Sequence, residues 1–250
     1  MKVINVGNTT ISASSQFKAN RDSLTIWFEN KPERDSMLIA VKYDSKTDTL
    51  KFNLKNRKSI ATQKIYPQHN FSGMGNYHKK PFFIRFTQPI QSIDPYKLVL
   101  ISDVDTIAAK LKSIGKLGSY QLLNTLKESN NYTLTFLPNA ITSIFEAQNK
   151  DTLKVKFSTT ALASLSNMNL KYDFSGVTGK GLLEIWNSGD LVKKTILSTK
   201  KGLIQLQGIK PGEYKLKYID DKDGNQEWTS GSYWTKQQPE SIYWYAESIN

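Results

Sequence analysis

Hydrophobic positions recur at every second residue along most of this chain. Leu24, Ile26 and Phe28 alternate with Thr25 and Trp27, and Leu50, Phe52 and Leu54 alternate with Lys51, Asn53 and Lys55. Side chains leave a strand on opposite faces in turn, so this period predicts antiparallel strands with one buried and one wet face. The pattern returns in FFIRFTQPI (82–90), YKLVLIS (96–102), NYTLTFLP (131–138) and DTLKVKFST (151–159), separated by Asp-Pro, Ser-Asn-Asn and Asn-Lys-Asp turn signals. A third set, MNLKYDFSG, GLLEIWN, LVKKTILST, GLIQLQGI, GEYKLKYID and PESIYWYAE, is punctuated by Gly179, Gly181, Gly189, Gly202 and Pro211-Gly212. Helical periodicity is scarce. VDTIAAKLKSIG (104–115) and NAITSIFEA (139–147) are the two stretches it predicts as short helical turns.

The fold class that follows is all-β: tandem antiparallel β-sandwiches with very little helix. Boundaries are expected near residue 80, in FSGMGNYHKKP, and in the small polar run TTALASLSNMN near 160–168. They divide the chain into an N-terminal β-rich region (1–80), a first sandwich (81–162) and a second (167–250).

Composition adjusts this picture only slightly. With 250 residues, 38% hydrophobic and 22% charged, the chain is too apolar for a disordered segment. No run approaches the roughly 20 apolar residues of a spanning helix. MKVINVGNTT lacks the charged-then-apolar layout of a signal peptide, so export implies an address upstream. Zero cysteines exclude disulfides, thiolate metal sites and cysteine nucleophiles within these residues. The net charge of +12 raises nucleic acid as a partner, but its distribution argues against that. Residues 1–81 hold 14 Lys+Arg against 6 Asp+Glu, 82–166 hold 9 against 6, and 167–250 hold 11 against 10. The excess lies in single lysines alternating with apolar residues, the wet face of half-buried strands.

The chain end, IKPGEYKLKYIDDKDGNQEWTSGSYWTKQQPESIYWY, resembles the ending "PG-x-Y-x-L…D-x-N-G-N-G-x-W-D-x-G-x-Y…Q-P-E" of Ig-like-domain-containing lipoproteins from Bacteroidetes envelopes. Pro211, Gly212, Tyr214, Leu216, Asp221, Gly224, Asn225, Trp228, Gly231, Tyr233, Gln238, Pro239 and Glu240 fit it, while Asp223, Gln226 and Thr229 replace its Asn, Gly and Asp. The middle segment resembles bacterial Ig-like domains through Phe86, Pro89 and Ile90 of "F-x-x-P-I". The resemblance implies an Ig-like sandwich followed by a transthyretin- or prealbumin-like one, and an outer-membrane, periplasmic or surface location. It also implies a lipid-bearing cysteine upstream as the membrane anchor, and partners among envelope proteins.

Two constellations carry candidate chemistry. The loop from Asp220 to Glu227 places oxygen side chains at Asp221, Asp223, Asn225 and Glu227, the alternate spacing with which a looped chain surrounds calcium. Lys222 inside it, and the missing sixth-position glycine and twelfth-position glutamate, depart from the helix-loop-helix calcium motif, and the bland alternative is a hairpin turn at Asp223-Gly224. Secondly, four of five tryptophans follow residue 180; Trp228, Tyr233, Trp234 and Trp244 are candidates for a patch that stacks on sugar rings or grips a partner. Core packing and edge cover are the alternative. In YWY (243–245), Trp244 must face away from Tyr243 and Tyr245 if the segment is a strand.

No catalytic residue is nominated. His69 and His78 fall in a Gly-rich stretch expected to be a solvated loop, and no G-x-S-x-G elbow or phosphate loop is present. The reading is a non-catalytic structural or protein-interaction module of a bacterial cell-envelope protein. The alternative is a carbohydrate-binding module, with calcium as its one candidate cofactor.

Overall fold

A computed structural model of the chain describes the strands at 2–5, 13–17, 24–28, 36–43 and 46–53, and residues 64–71, 76–115, 118–174 and 181–249. Among them every strand pairing is antiparallel, and the only helical segments are single 3-10 turns at Pro95–Lys97 and Leu162–Ser164. The chain is nearly all β, as its period-two pattern predicts. It divides into two compact units: one reaches Ser158, and the second takes the chain from Thr159 on together with Asn76 and Tyr77.

In the first unit, β1 (Lys2–Asn5), β4 (Ser36–Tyr43) and β5 (Lys46–Asn53) form a sheet in the order β1-β4-β5, and β2 (Ala13–Phe17) pairs with β3 (Leu24–Phe28). Strand β5 departs from the expected one wet face. Leu50 and Phe52 are exposed along with Lys51 and Asn53 on this edge strand. Leu54 and Lys55 lie outside the described residues.

The core of this unit lies between two four-stranded sheets. One has the order β11-β12-β7-β6, from β6 (Pro67–His69), β7 (Phe83–Phe86), β11 (Leu111–Ile114) and β12 (Ser119–Leu122); the other has the order β10-β9-β13-β15, from β9 (Leu98–Ser102), β10 (Thr106–Ala108), β13 (Asn131–Phe136) and β15 (Leu153–Ser158). A short pair, β8 (Ile90–Ile93) with β14 (Ile141–Ser143), completes the set. Phe82 stacks on Phe157 at 4.1 Å between ring centroids, with Phe71 edge-on to both, and Ile84, Leu134 and Phe136 are fully enclosed. Each such ring pair adds about 0.5–1.5 kcal/mol beyond its buried area.

Neither predicted helical turn is helical: 104–115 holds two short strands, and 139–147 holds the three-residue strand β14 followed by a non-helical turn at 144–146. Within 104–115, Thr106 and Ile107 pair with Ile101 and Leu100, and β11 follows after a step held by Asn124. The Asn124 side chain accepts from the Lys110 amide at 2.7 Å and donates to the Ala108 carbonyl at 3.0 Å. Beside 139–147, buried Asn149 accepts from the Ile141 amide and donates to the Leu137 and Asp151 carbonyls, holding the start of β14 extended. Both clamps are side-chain-to-backbone contacts that override a weak local helical period. His69 is another correction: it ends strand β6, half-buried and stacked on Phe82 at 5.5 Å, not in a solvated loop. Burial holds its imidazole below the ordinary value, with a backbone hydrogen bond at Phe71 opposing.

The second unit comprises β16 (Ser166–Asp173), β17 (Gly181–Asn187), β18 (Asp190–Leu197), β19 (Lys201–Ile209), β20 (Tyr214–Asp220) and β21 (Ile242–Trp244). Strands β18-β17-β20-β21 form a sheet whose inner face, Leu183, Ile185, Leu197, Leu216 and Tyr218, meets Ile204, Leu206, Met168 and Leu170 of the β16-β19 pair. Gly181 is required here, since a Cβ at that position would overlap the Tyr218 ring. On the opposite face of the four-stranded sheet, Glu184 of β17 pairs with Lys217 of β20 at 3.2 Å, and the Trp186 indole N–H donates to the same carboxylate at 3.2 Å.

Candidate functional site

Strands β20 and β21 are neighbours in the sheet, so residues 221–241 must leave β20 and return beside it. The Asp223-Gly224 hairpin turn expected from sequence is therefore not the connection. Gly224 does adopt a left-handed conformation (φ +71°), but within a much longer loop whose ends are tied by Glu240.

Glu240 sits two residues before β21 and is 6% exposed. One carboxylate oxygen accepts the Lys222 amide at 2.7 Å and the Asp223 amide at 3.4 Å; the other accepts the Thr229 amide at 3.0 Å. Its own amide donates to the Thr229 carbonyl, and its carbonyl accepts the Trp228 indole N–H at 2.9 Å. A single acidic residue thus satisfies backbone donors from both halves of the loop, a satisfaction that buried amides require.

Asp221 and Asp223 face the same place. Asp221, Asp223 and Glu240 each offer a carboxylate oxygen, and these oxygens lie within 4.8 Å of one another. Asp221 is 4% exposed. Its Oδ2 accepts the Gln226 amide at 3.1 Å, while its enclosed Oδ1 has no hydrogen-bond partner. Asp223 is exposed and well supplied: Thr229 Oγ1 and Asn225 Nδ2 donate to its Oδ2 at 2.7 and 3.0 Å, and the Asn225 amide donates to its Oδ1 at 3.0 Å. The Thr229 hydroxyl foremost, then the Asn225 amide, hold the Asp223 carboxyl below its ordinary value, with the Asp221 carboxyl adding to this and slight desolvation opposing it. Among the described residues no lysine, arginine or histidine pairs with any of the three carboxylates.

Of the four oxygen-bearing residues nominated from sequence, the structure groups Asp221 and Asp223. Asn225 buttresses Asp223, and its own Oδ1 accepts the Glu227 amide at 2.6 Å; the Glu227 carboxylate lies outside the group. Glu240 was missed as a candidate ligand. It lies outside the 220–227 window, and only the β20–β21 pairing brings it back, although its place in the Q-P-E ending marked it as part of a pattern.

Beyond the acidic ring the loop narrows to a tip. Ser232 and Gln237 exchange backbone hydrogen bonds at 2.9 and 3.0 Å, leaving Tyr233–Lys236 as a four-residue turn closed by a bond from the Lys236 amide to the Tyr233 carbonyl. Gly231 enters it at φ +77°, where a Cβ would stand 2.6 Å from the Gln237 carbonyl oxygen. Tyr233 is 88% exposed and Trp234 91% exposed, and their rings meet edge to face at 5.8 Å. The nominated aromatic patch resolves into separate parts. Trp228 is a strut on Glu240, Tyr233 and Trp234 form the tip, and Trp244 lies on edge strand β21 with the Lys217 ammonium 5.9 Å from its ring centre. Among the described residues neither Trp228 nor Trp244 touches the tip rings.

Compared with known proteins, the chain matches no family model and no curated relative.

Proposed function

We propose that this chain is a non-catalytic interaction module of a bacterial cell-envelope protein, and that it meets a protein partner through the Tyr233–Trp234 tip. The observation that carries the reading is the contrast within one loop: a base fixed by a buried acid, and two large aromatic rings held almost wholly in water. Large exposed aromatics are costly for solubility and are characteristic of binding hot spots. A tip closed by backbone bonds loses little entropy on binding, which favours its use as a rigid anchor. Envelope location rests on the resemblance of the chain end to lipoproteins of Bacteroidetes envelopes.

A second reading, a carbohydrate-binding module, is favoured by the flat exposure of Trp234 and by Trp244 on the sheet edge, since indole faces stack on sugar rings. The two separate on one experiment. A photo-crosslinking residue at position 234 or 192 is placed in the native cells, and purified wild type and Trp234→Ala are screened on a glycan array. The proposal expects one protein adduct at 234, none at 192, and a silent array. Glycan signals lost in Trp234→Ala favour the carbohydrate reading, and turnover on a hydrolase substrate panel would defeat both.

A further inference from the structure

We infer that Asp221, Asp223 and Glu240 form a binding site for a hard divalent cation, calcium, which staples the 221–241 loop to the end of strand β20. The inference stands whether the tip binds protein or glycan.

Three observations carry it. The first is charge. Three carboxylates meet within 4.8 Å, two of them buried, with no cationic side chain beside them among the described residues. Like charges this close repel strongly where water is excluded, and a bound cation would offset that repulsion. The second is independent of the clustering. The Oδ1 of Asp221, on a side chain 4% exposed, is fully enclosed without a donor. A buried acceptor left unpaired costs about 1–3 kcal/mol, and a cation removes that cost where the loop supplies no further N–H. The third is size. Calcium holds oxygens at about 2.3–2.6 Å, so its ligands lie up to roughly 5 Å apart across the ion. The spread of the three oxygens fits within the calcium span.

The ligand set is all oxygen, which suits a hard cation and disfavours the thiolate- and imidazole-seeking metals. Backbone donors already occupy part of Glu240, and Asp223 is oriented by Thr229 and Asn225. These supporting bonds fix the first-shell oxygens, as outer-shell partners do in metal sites. Carbonyls and water would complete the shell, since three carboxylates seldom fill six to eight positions.

The test uses the full chain, stripped with a chelator. Calcium chloride is titrated calorimetrically and its effect on thermal unfolding is followed, with magnesium chloride as the comparison. The expected result is one calcium per chain and a melting temperature that climbs with calcium concentration, because a ligand bound only by the folded state stabilises it. Asp221→Asn keeps the acceptor for Gln226 but removes the charge, and it should weaken calcium binding at least ~10-fold. Terbium provides a readout that needs no variant to fold: bound in this ring it should luminesce on excitation of Trp228, whose indole is bonded to Glu240. Calcium should displace it. Absence of both calcium heat and terbium luminescence in folded wild type overturns the site in favour of a loop held by its own hydrogen bonds alone. Calcium binding of full strength in Asp221→Asn overturns it in favour of a different location.

Discussion

The Glu240 carboxylate accepts the Lys222 amide at 2.7 Å across eighteen residues of sequence, and this bond closes the base of the aromatic loop. With the Asp223 and Thr229 amides it makes Glu240 the acceptor for three backbone donors. Glu240→Ala orphans all three and should cost about 1.5–3 kcal/mol in urea denaturation under chelator, the range of hydrogen bonds to a charged group, less some relief of repulsion from Asp221 and Asp223. Hydrogen exchange at Lys222 and Thr229 should quicken while β17 and β20 keep their protection. An unchanged denaturation midpoint would mean that water replaces the carboxylate without penalty.

Acidification should weaken the first unit through His69. Its folded value lies below the ordinary 6.5 because burial beside Phe82 disfavours the imidazolium. For a base with a lowered folded value, the unfolded chain binds the proton first. Stability is therefore complete above about pH 6.5 and falls as pH drops from there through the folded value, then levels off. His69→Phe keeps the stacking and removes the proton, so its denaturation midpoint should lose this slope between pH 7 and 5. A slope that persists would assign the acid sensitivity to another group.

These contacts mark where sequence reading succeeds and where it stops. The strands were legible because period two is a local signal: Val155 and Phe157 inside, Lys154 and Lys156 outside, is written in LKVKFS itself. The two misread helical turns show the limit, since the Asn124 and Asn149 side chains impose extended backbone from fourteen and eight residues away, through contacts that a local period does not encode. The site was half legible for the same reason. Asp221 and Asp223 share a turn and betray themselves by spacing, whereas Glu240 joins them only through the pairing of β20 with β21. The aromatic residues were legible as a density but not as an arrangement. Nothing in EWTSGSYW says that Trp228 turns back onto Glu240 while Trp234 stands in water.

The Glu184–Lys217 pair offers a sharper energetic test, because both side chains are largely withdrawn from solvent, 9% and 18% exposed. Removing one member leaves a charge without its partner. Lys217→Met alone should cost about 2–4 kcal/mol, near the 3–5 of a fully buried pair, while Glu184→Leu with Lys217→Met should return to within about 1 kcal/mol of wild type. A double-mutant cycle by urea denaturation measures the coupling. If the single variant is neutral, the pair is screened like any surface ion pair.

The tip should separate stability from binding. Tyr233 and Trp234 bury almost nothing, so Tyr233→Ala and Trp234→Ala should each change unfolding free energy by less than ~0.5 kcal/mol. Both should nevertheless abolish capture of the partner, since an aromatic anchor supplies a large share of interface energy. Gly231→Ala reaches the same endpoint by a different route. It keeps both rings but places a Cβ 2.6 Å from the Gln237 carbonyl at φ +77°, a strain of about 1–3 kcal/mol. The strain falls on a four-residue turn held by three backbone bonds, so the turn should open while the sandwich stays folded. Limited proteolysis should then cut between 231 and 237 in Gly231→Ala and spare wild type, with the melting temperature nearly unchanged. Binding that survives in Gly231→Ala but not in Trp234→Ala would mean that the rings act as flexible contacts and the closed geometry of the tip is not what the partner reads.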